Sequence, residues 1–143
     1  MTDSFLFDIP QSVEDYLVVL DDFIAREIKP LEAQDDNIRF FDHRREHART
    51  DWDRGGLPRE EWEELLWEMR RRADAAGHFR YALPEEFGGQ NGTNLGMARI
   101  REHLASKGLG LHNDLQNESS VVGNLMTPMM LRDFGTADQK QRW

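Results

Sequence analysis

The stretch Ser12–Lys29, with the sequence SVEDYLVVLDDFIAREIK, decides the fold class because it carries the clearest helical pattern in the chain. Ser12 suits an N-cap, with the acidic Asp15 three residues later. Pro30 disfavours α geometry at the residue before it, so the pattern predicts a helix from Val13 to Lys29 that ends or kinks at Pro30. Its apolar residues recur about every 3.6 positions, on one helix face: Val13, Leu17, Leu20, Ile24 and Ile28.

A second helix is predicted to open at Leu57–Pro58, since proline is favoured in the first helical turn. Its acidic residues come early and its basic residues late, which suits the helix dipole. Between these two helices, residues 35–56 are polar and predict a linker or an irregular, partly helical segment. We expect this polar linker to be anchored by Phe40, Phe41 and Trp52.

Two more helices are predicted further along the chain. Thr93 or Asn94 caps the third helix. The fourth is predicted over Glu118–Phe134, with a kink at Pro128 and Gly135 as its C-cap. No segment shows the sustained alternation of apolar and polar residues that is typical of β-strands, so the sequence predicts an all-α domain.

The last nine residues, GTADQKQRW over Gly135–Trp143, predict the start of another helix. Thr136 and Gln139 have the T-x-x-Q spacing of a capping box, and Asp138 lies near the positive end of the helix dipole. A helix of about two turns is unstable by itself in water. We therefore expect the natural chain to continue beyond Trp143.

Length and composition restrict the function. At 143 residues the chain suits one domain over residues 1–143, with an N-terminal arm over residues 1–11. The net charge of −9 disfavours nucleic acid and anionic membranes as partners, because both would repel the protein. No apolar run approaches the ~18 residues of a membrane span, no secretory signal is present, and cysteine is absent. We expect a cytoplasmic protein without disulfides.

No motif for catalysis, metal binding or cofactor binding stands out. His43 and His47 are four residues apart, but they lack the glutamate of an H-E-x-x-H motif. Gly108–Gly110 follows a predicted helix rather than a strand, and Gly88–Gly92 has no following Lys-Ser/Thr pair, so neither fits a nucleotide-binding loop. We interpret the histidines as chance surface spacing and the glycines as turn residues.

Two features each allow two interpretations. The polar run Leu111–Ser120 either lines the mouth of a polar pocket or caps the following helix through Asn117 or Ser119. Four methionines either fill the core or line a cavity that adapts to flexible apolar chains: Met97, Met126, Met129 and Met130.

Three stretches, in order, resemble the N-terminal helical domain of acyl-CoA dehydrogenases. They are LPEEFGG at Leu83–Gly89, VGN at Val122–Asn124 and FGTADQKQRW at Phe134–Trp143, of which the last is the most specific. The resemblance covers nearly the whole chain. It implies a domain of up-and-down, orthogonal helices.

The resemblance also implies an activity. In that family the helical domain, a β middle domain and a C-terminal four-helix bundle together hold FAD and an acyl-CoA thioester of fatty acid metabolism. The enzyme performs α,β-dehydrogenation, and its electrons pass to an electron-transfer flavoprotein. The middle and C-terminal domains are absent from residues 1–143, so the isolated chain is expected to be inactive and to bind no flavin. The complete enzyme is expected to be a homo-oligomer.

By the same resemblance, this domain contributes one wall of the acyl tunnel. The residues expected near the acyl tail are Asn117, Glu118, Val121, Val122 and Leu125. The polar residues before Val121 allow a polar or short acyl group. Acyl-CoA oxidases and flavin-dependent monooxygenases share the fold and are alternatives, and a non-catalytic helical interaction module is a third.

Overall fold

The computed structural model describes residues 8–42, 44–45, 47–113 and 120–143, and most of these residues are helical. A π-helix (Ile24–Ile28) and two 3₁₀ helices (Gln34–Phe41 and Glu85–Phe87) accompany the α-helices. Within these stretches, the one sheet pairs β1 (Thr50–Asp51) with β2 (Leu57–Pro58). Because helices dominate and the sheet has two residues in each strand, the predicted all-α class is confirmed. The α-helices are α1 (Gln11–Phe23), α2 (Lys29–Ala33), α3 (Glu60–Ala75), α4 (Asn94–Ser106), α5 (Met126–Phe134) and α6 (Ala137–Arg142).

Helices α1 and α4 run in the same direction, as their ion pairs show. Glu14 near the start of α1 binds Arg99 in the first half of α4 at 2.8 Å. Asp21 near the end of α1 binds His103 near the end of α4, also at 2.8 Å. Both pairs are partly exposed and contribute little to stability by themselves. The apolar stripes beneath them hold the two helices together.

Helix α3 runs in the opposite direction to α1. Arg72 in its last turn donates to the carbonyl oxygen of Glu27 at 3.0 Å, beyond the end of α1. Six residues later, His78 contacts Tyr16 in the middle of α1, with 2.9 Å between His78 Nδ1 and Tyr16 Oη. The chain therefore moves toward the start of α1 as the residue number increases. The chain thus runs up α1, down α3 and up α4, which is the predicted up-and-down order. No helix in the part of the chain that the structure describes is long and apolar enough to cross a membrane.

The core lies between these three helices and the segment that follows residue 120. The predicted stripe of α1 and the apolar faces of α3 and α4 all supply side chains to it. Burying each of these side chains stabilises the fold by about 1.5–3 kcal/mol relative to leaving it in water. Its side chains with no exposed surface are Leu20, Ile28, Met69, Ala73, Ile100, Leu104, Leu111, Val121 and Val122.

The carboxylate of Glu32 is buried and joins α2 to the segment after α4. Glu32 Oε2 accepts a hydrogen bond from the backbone N–H of Leu111 at 2.7 Å, and Lys29 donates to Oε1 at 2.8 Å. A Cβ at Gly110 would lie 2.7 Å from Glu32 Oε2 and from the ring of His112, so a larger residue there would displace these two buried side chains. Removing the carboxylate would leave the Leu111 N–H buried without its acceptor.

The first helical stretch continues past Pro30. The prediction allowed an end or a kink there, and the end at Lys29 is wrong, because the chain stays helical to Ala33. A π turn precedes Pro30 instead, in which the N–H of Lys29 donates to the carbonyl oxygen of Ile24, five residues back. Pro30 then lies in the first turn of α2, where no N–H is needed.

The predicted start of the second helix at Leu57–Pro58 is also wrong. These two residues form β2, and α3 begins at Glu60. Gly55 and Gly56, both with φ near +80°, make the turn of the hairpin. The N–H of Arg59 donates to the carbonyl oxygen of Arg49 at 2.9 Å and extends the pairing up to the first residue before α3. The predicted polar linker therefore contains a short hairpin.

Of the three aromatic anchors predicted for this linker, two are confirmed. Phe40 is buried with its ring 5.1 Å from that of Trp62, and Phe41 packs at 5.9 Å from the same ring. The guanidinium of Arg49 lies 4.2 Å from the Trp62 ring, within the range of a cation–π contact. Trp52 is 63% exposed and is no anchor.

The fourth helix is shorter than predicted, because it begins at Met126 and not at Glu118. Residues 120–125 are non-helical. With the helix starting at Met126, Pro128 falls among the first positions, whose N–H groups have no intrahelical partner. A start at residue 118 would have placed Pro128 in the interior, where it breaks a backbone hydrogen bond. The predicted C-cap at Gly135 is confirmed.

The caps predicted from local spacing are mostly confirmed. Thr93 caps α4 by accepting from the N–H of Gly96 at 3.0 Å. Thr136 and Gln139 form the predicted capping box of α6. Ser12 is not the N-cap of α1; that position belongs to Pro10, whose carbonyl oxygen accepts from the first turn of the helix.

His112 gives the fold a dependence on pH. Its side chain has no exposed surface, and burial lowers its pKa below the usual value near 6.5. The positive charges of Lys29 and Lys107 lower this pKa further, while Glu32 opposes them. Because the unfolded chain binds a proton to His112 more readily than the folded chain, lowering the pH favours unfolding.

We predict that the free energy of unfolding is highest above about pH 6.5 and falls as the pH drops below it, by at most about 1.4 kcal/mol per pH unit from this one group. Urea unfolding followed by circular dichroism between pH 5 and 8 measures the slope. His112→Phe is neutral at every pH and should flatten the slope, whatever its effect on stability at pH 8. Equal slopes for both proteins would contradict the prediction.

Candidate functional site

The five residues predicted to bind an acyl group do not share one environment. Asn117 and Glu118 lie outside the described residues. Val121 and Val122 are fully buried in the core, and Arg101 donates to the carbonyl oxygen of Val122 at 2.7 Å. Both valines precede α5, contrary to their predicted position on the fourth helix. Their side chains stabilise the domain, and their role at a ligand stays a prediction.

Leu125 occupies a different position, since it is half-buried and borders open space. It is the residue before the first turn of α5. Its side chain lines three separate grooves, with volumes of about 540, 750 and 890 Å³. We call this meeting point the Leu125 junction. Of the three predicted residues that the structure describes, Leu125 lines these grooves, and Val121 and Val122 do not.

The first groove, which we call the methionine groove, runs between α4 and α5. Met97 and Leu83 form one wall, and the exposed side of α5 forms the other. Met126 and Met130 are 58% and 61% exposed, which is unusual for side chains of this size and polarity. Methionine is flexible and polarizable, so such a wall adapts to the shape of an apolar ligand. The apolar lining comprises Ala82, Leu83, Met97, Ala98, Leu125, Met126, Met129, Met130 and Phe134.

The second and third grooves extend the apolar surface on either side of Leu125. The second passes between α5 and α6 and is lined by Phe87, Pro128 and Leu131, with Trp143 at its edge. The third lies along α3 and is lined by Trp67 and Phe79. All three are open to solvent, and together they leave an apolar surface of the kind that binds a ligand or another protein segment.

Arg132 and Asp133, which lie beside the first two grooves, are held in ion pairs. Arg132 binds both oxygens of Asp133, at 2.7 and 3.2 Å, and also reaches Glu86 at 3.3 Å. The hydrogen bonds from Arg132 hold the pKa of Asp133 below its usual range. This carboxylate therefore stays ionised at neutral pH and is a poor proton acceptor. The apolar walls of the grooves can hold an apolar chain.

The glycine-rich turn contains two glycines that have no room for a side chain. A Cβ at Gly89 would lie 2.0 Å from the carbonyl oxygen of Leu83, and one at Gly92 would lie 2.5 Å from the ring of Tyr81. Both glycines are thus required by contacts within the chain itself.

His47 accepts a hydrogen bond from Trp52 Nε1 at 2.6 Å, and no group of three potential metal ligands occurs among the described residues.

Comparison with protein families identifies the domain. Residues 31–143 match the model of the acyl-CoA dehydrogenase N-terminal domain. The chain belongs to this family. The matched region begins in α2 and includes the Leu125 junction and the whole lining of the three grooves. Comparisons with curated proteins and with solved structures gave no match.

Only part of the lining of the three grooves in this acyl-CoA dehydrogenase N-terminal domain could be predicted from the sequence. The four methionines were recognised as either core or cavity residues, and the structure places all four on the methionine groove. Leu83, Phe87 and Pro128 were seen only as turn or helix markers. Their spacing carries no periodic signal, because they come together through the packing of α5 against the turn after α3.

Truncating Leu125 should destabilise this domain less than truncating a core leucine. Leu104 has no exposed surface, so Leu104→Ala should lower the free energy of unfolding by about 2–5 kcal/mol. Leu125→Ala opens a space that solvent already reaches and should cost less than about 2 kcal/mol. Urea unfolding of the two variants measures the difference. Equal losses of unfolding free energy in the two variants would show that Leu125 is a core residue and would contradict its assignment to the groove wall.

Proposed function

We propose that this domain is part of an FAD-dependent enzyme that dehydrogenates an acyl-CoA thioester, and that the Leu125 junction forms part of its acyl-binding surface. The observation that carries the proposal is the junction itself. In a domain of the acyl-CoA dehydrogenase family, three open apolar grooves meet at one half-buried leucine.

The energetics of the grooves suit an acyl chain. Each methylene that leaves water for an apolar wall contributes about 0.8 kcal/mol, so even a short chain gains several kcal/mol. Arg101, Asn94 and Asn124 supply the polar rim of the methionine groove. This combination of apolar wall and polar rim is typical of small-molecule sites. It also accommodates an acyl group that carries a polar substituent.

In this proposal the domain supplies acyl binding, and the chemistry comes from the other domains of the enzyme. Two observations support this division: Gly89 is required by a contact within the chain, and Asp133 is held in an ion pair with Arg132. We therefore assign FAD and the catalytic base to a β middle domain and a C-terminal helical bundle. From the family alone, we also propose an electron-transfer flavoprotein as the electron acceptor and a homo-oligomeric state for the complete enzyme.

The test uses the complete enzyme that carries this domain. Addition of the acyl-CoA substrate should bleach the absorption band of the bound flavin, because the flavin is reduced. Leu125→Phe narrows all three grooves and should shift kcat/KM toward shorter acyl groups, by roughly 10–200-fold for each methylene that no longer fits. A ladder of acyl-CoA lengths measures the shift.

Val18→Phe is the matched control, since Val18 is 70% exposed on α1 and lines none of the three grooves. It should leave the length profile unchanged. If no acyl-CoA in the ladder reduces the bound flavin, the enzymatic proposal is wrong. The other outcome is that acyl-CoA reduces the flavin, but kcat/KM depends on acyl length in the same way in Leu125→Phe and in the parent. The enzymatic proposal would then stand, and the placement of the acyl chain at the Leu125 junction would be wrong.

A further inference from the structure

A pocket of about 450 Å³ lies in the segment between α2 and α3, away from the grooves. Residues 39–59 contain six arginines and four acidic residues, although the whole chain has a net charge of −9. This segment is therefore locally basic in an acidic protein. We call the cavity the arginine pocket. Its lining comprises Arg39, Arg44, Arg45, His47, Ala48, Arg59 and Glu61.

Backbone carbonyl oxygens fix two of the arginines. Arg39 donates through one terminal nitrogen to the carbonyl oxygens of Asp35 and Asp36, at 2.9 and 3.1 Å. Arg59 donates through Nε to the carbonyl oxygen of His47 at 3.1 Å. A neutral carbonyl holds the side chain in place without cancelling its charge. Both guanidinium groups are therefore positioned in the wall with their positive charge retained.

Carboxylates hold the other two arginines at the surface of the pocket. Arg44 binds Asp42 through two nitrogens, both at 2.9 Å, and Arg45 binds both oxygens of Asp36, at 3.2 and 2.7 Å. Each pair uses two of the five N–H groups of its guanidinium. Exposed ion pairs of this kind are weak, so a doubly charged anion competes well with a carboxylate.

The geometry points to an oxyanion site: we propose that the arginine pocket binds a phosphate group, as the free ion or as a monoester. Several guanidinium groups around one cavity match the charge and the acceptor oxygens of phosphate. Glu61 is the one carboxylate among the described residues of the wall, and it limits the affinity. The pocket shares no lining residue with the three grooves, so this site lies beyond the proposed acyl-binding function and does not depend on it.

Isothermal titration calorimetry of this chain with inorganic phosphate tests the proposal, at constant ionic strength set by sodium chloride. Phosphate should bind with a 1:1 stoichiometry and should raise the melting temperature, whereas acetate should do neither. A phosphate monoester titrated in parallel distinguishes the two sources: tighter binding of the ester indicates that the pocket recognises more than the free ion. An absence of phosphate binding would overturn the proposal.

Two variants change the affinity in opposite directions. The double variant Arg39→Gln, Arg59→Gln removes the two fixed charges and should weaken phosphate binding by about tenfold or more. Glu61→Gln removes the carboxylate from the wall and should tighten binding several-fold. This second variant keeps every arginine contact, so it decides the question even where the double variant fails to fold. Unchanged or weaker binding by Glu61→Gln would contradict the site.

Arg26→Gln is the matched control. Arg26 is exposed, binds Asp22 at 2.7 Å and lies outside the arginine pocket. Its removal lowers the overall positive charge without touching the pocket, so phosphate should bind as tightly as to the parent. A loss as large as in the double variant would show that phosphate responds to net charge alone, and the proposed site would be wrong.

Discussion

The close contact between Gly123 and Phe79 determines how the last part of the domain is arranged. The N–H of Gly123 donates to the carbonyl oxygen of Phe79 at 3.0 Å, and a Cβ at this position would lie 2.8 Å from the Phe79 ring. The chain is non-helical here, and Val122 is buried in the core. Helix α5 begins after Leu125. That places Leu125 beside the helix bundle and within reach of all three grooves.

Features fixed by neighbouring residues were predicted well from the sequence. The capping box of Thr136 and Gln139 and the stripe of α1 depend on spacing along one helix, so their residues alone specify them. The helix predicted for the segment after residue 120 is wrong, because Val121 and Val122 fit a helical period while the partner of Gly123 lies 44 positions earlier, at Phe79. Contacts of this range leave no local pattern.

The same difference between local and distant contacts explains why the candidate site was only partly predicted. Helical spacing could identify an apolar stripe containing Leu125, but it could not separate residues that face the core from those that face a ligand. Val122 and Leu125 are three positions apart, and the structure buries the first completely and leaves the second at an open groove. Stability and acyl recognition are thus assigned to different side chains of one short segment. Likewise, the buried carboxylate of Glu32 had no signal in the sequence, because its partner at Leu111 is distant.

The central claim is that Leu125, and not the neighbouring valines, contacts the acyl chain. A crystal structure of the complete enzyme with a bound acyl-CoA tests it most directly. The account predicts carbon–carbon contacts of about 4–4.5 Å between the acyl chain and Leu125, with Val121 and Val122 still enclosed in the core. An acyl chain that lies away from the Leu125 junction, or one that reaches the valines, would contradict it.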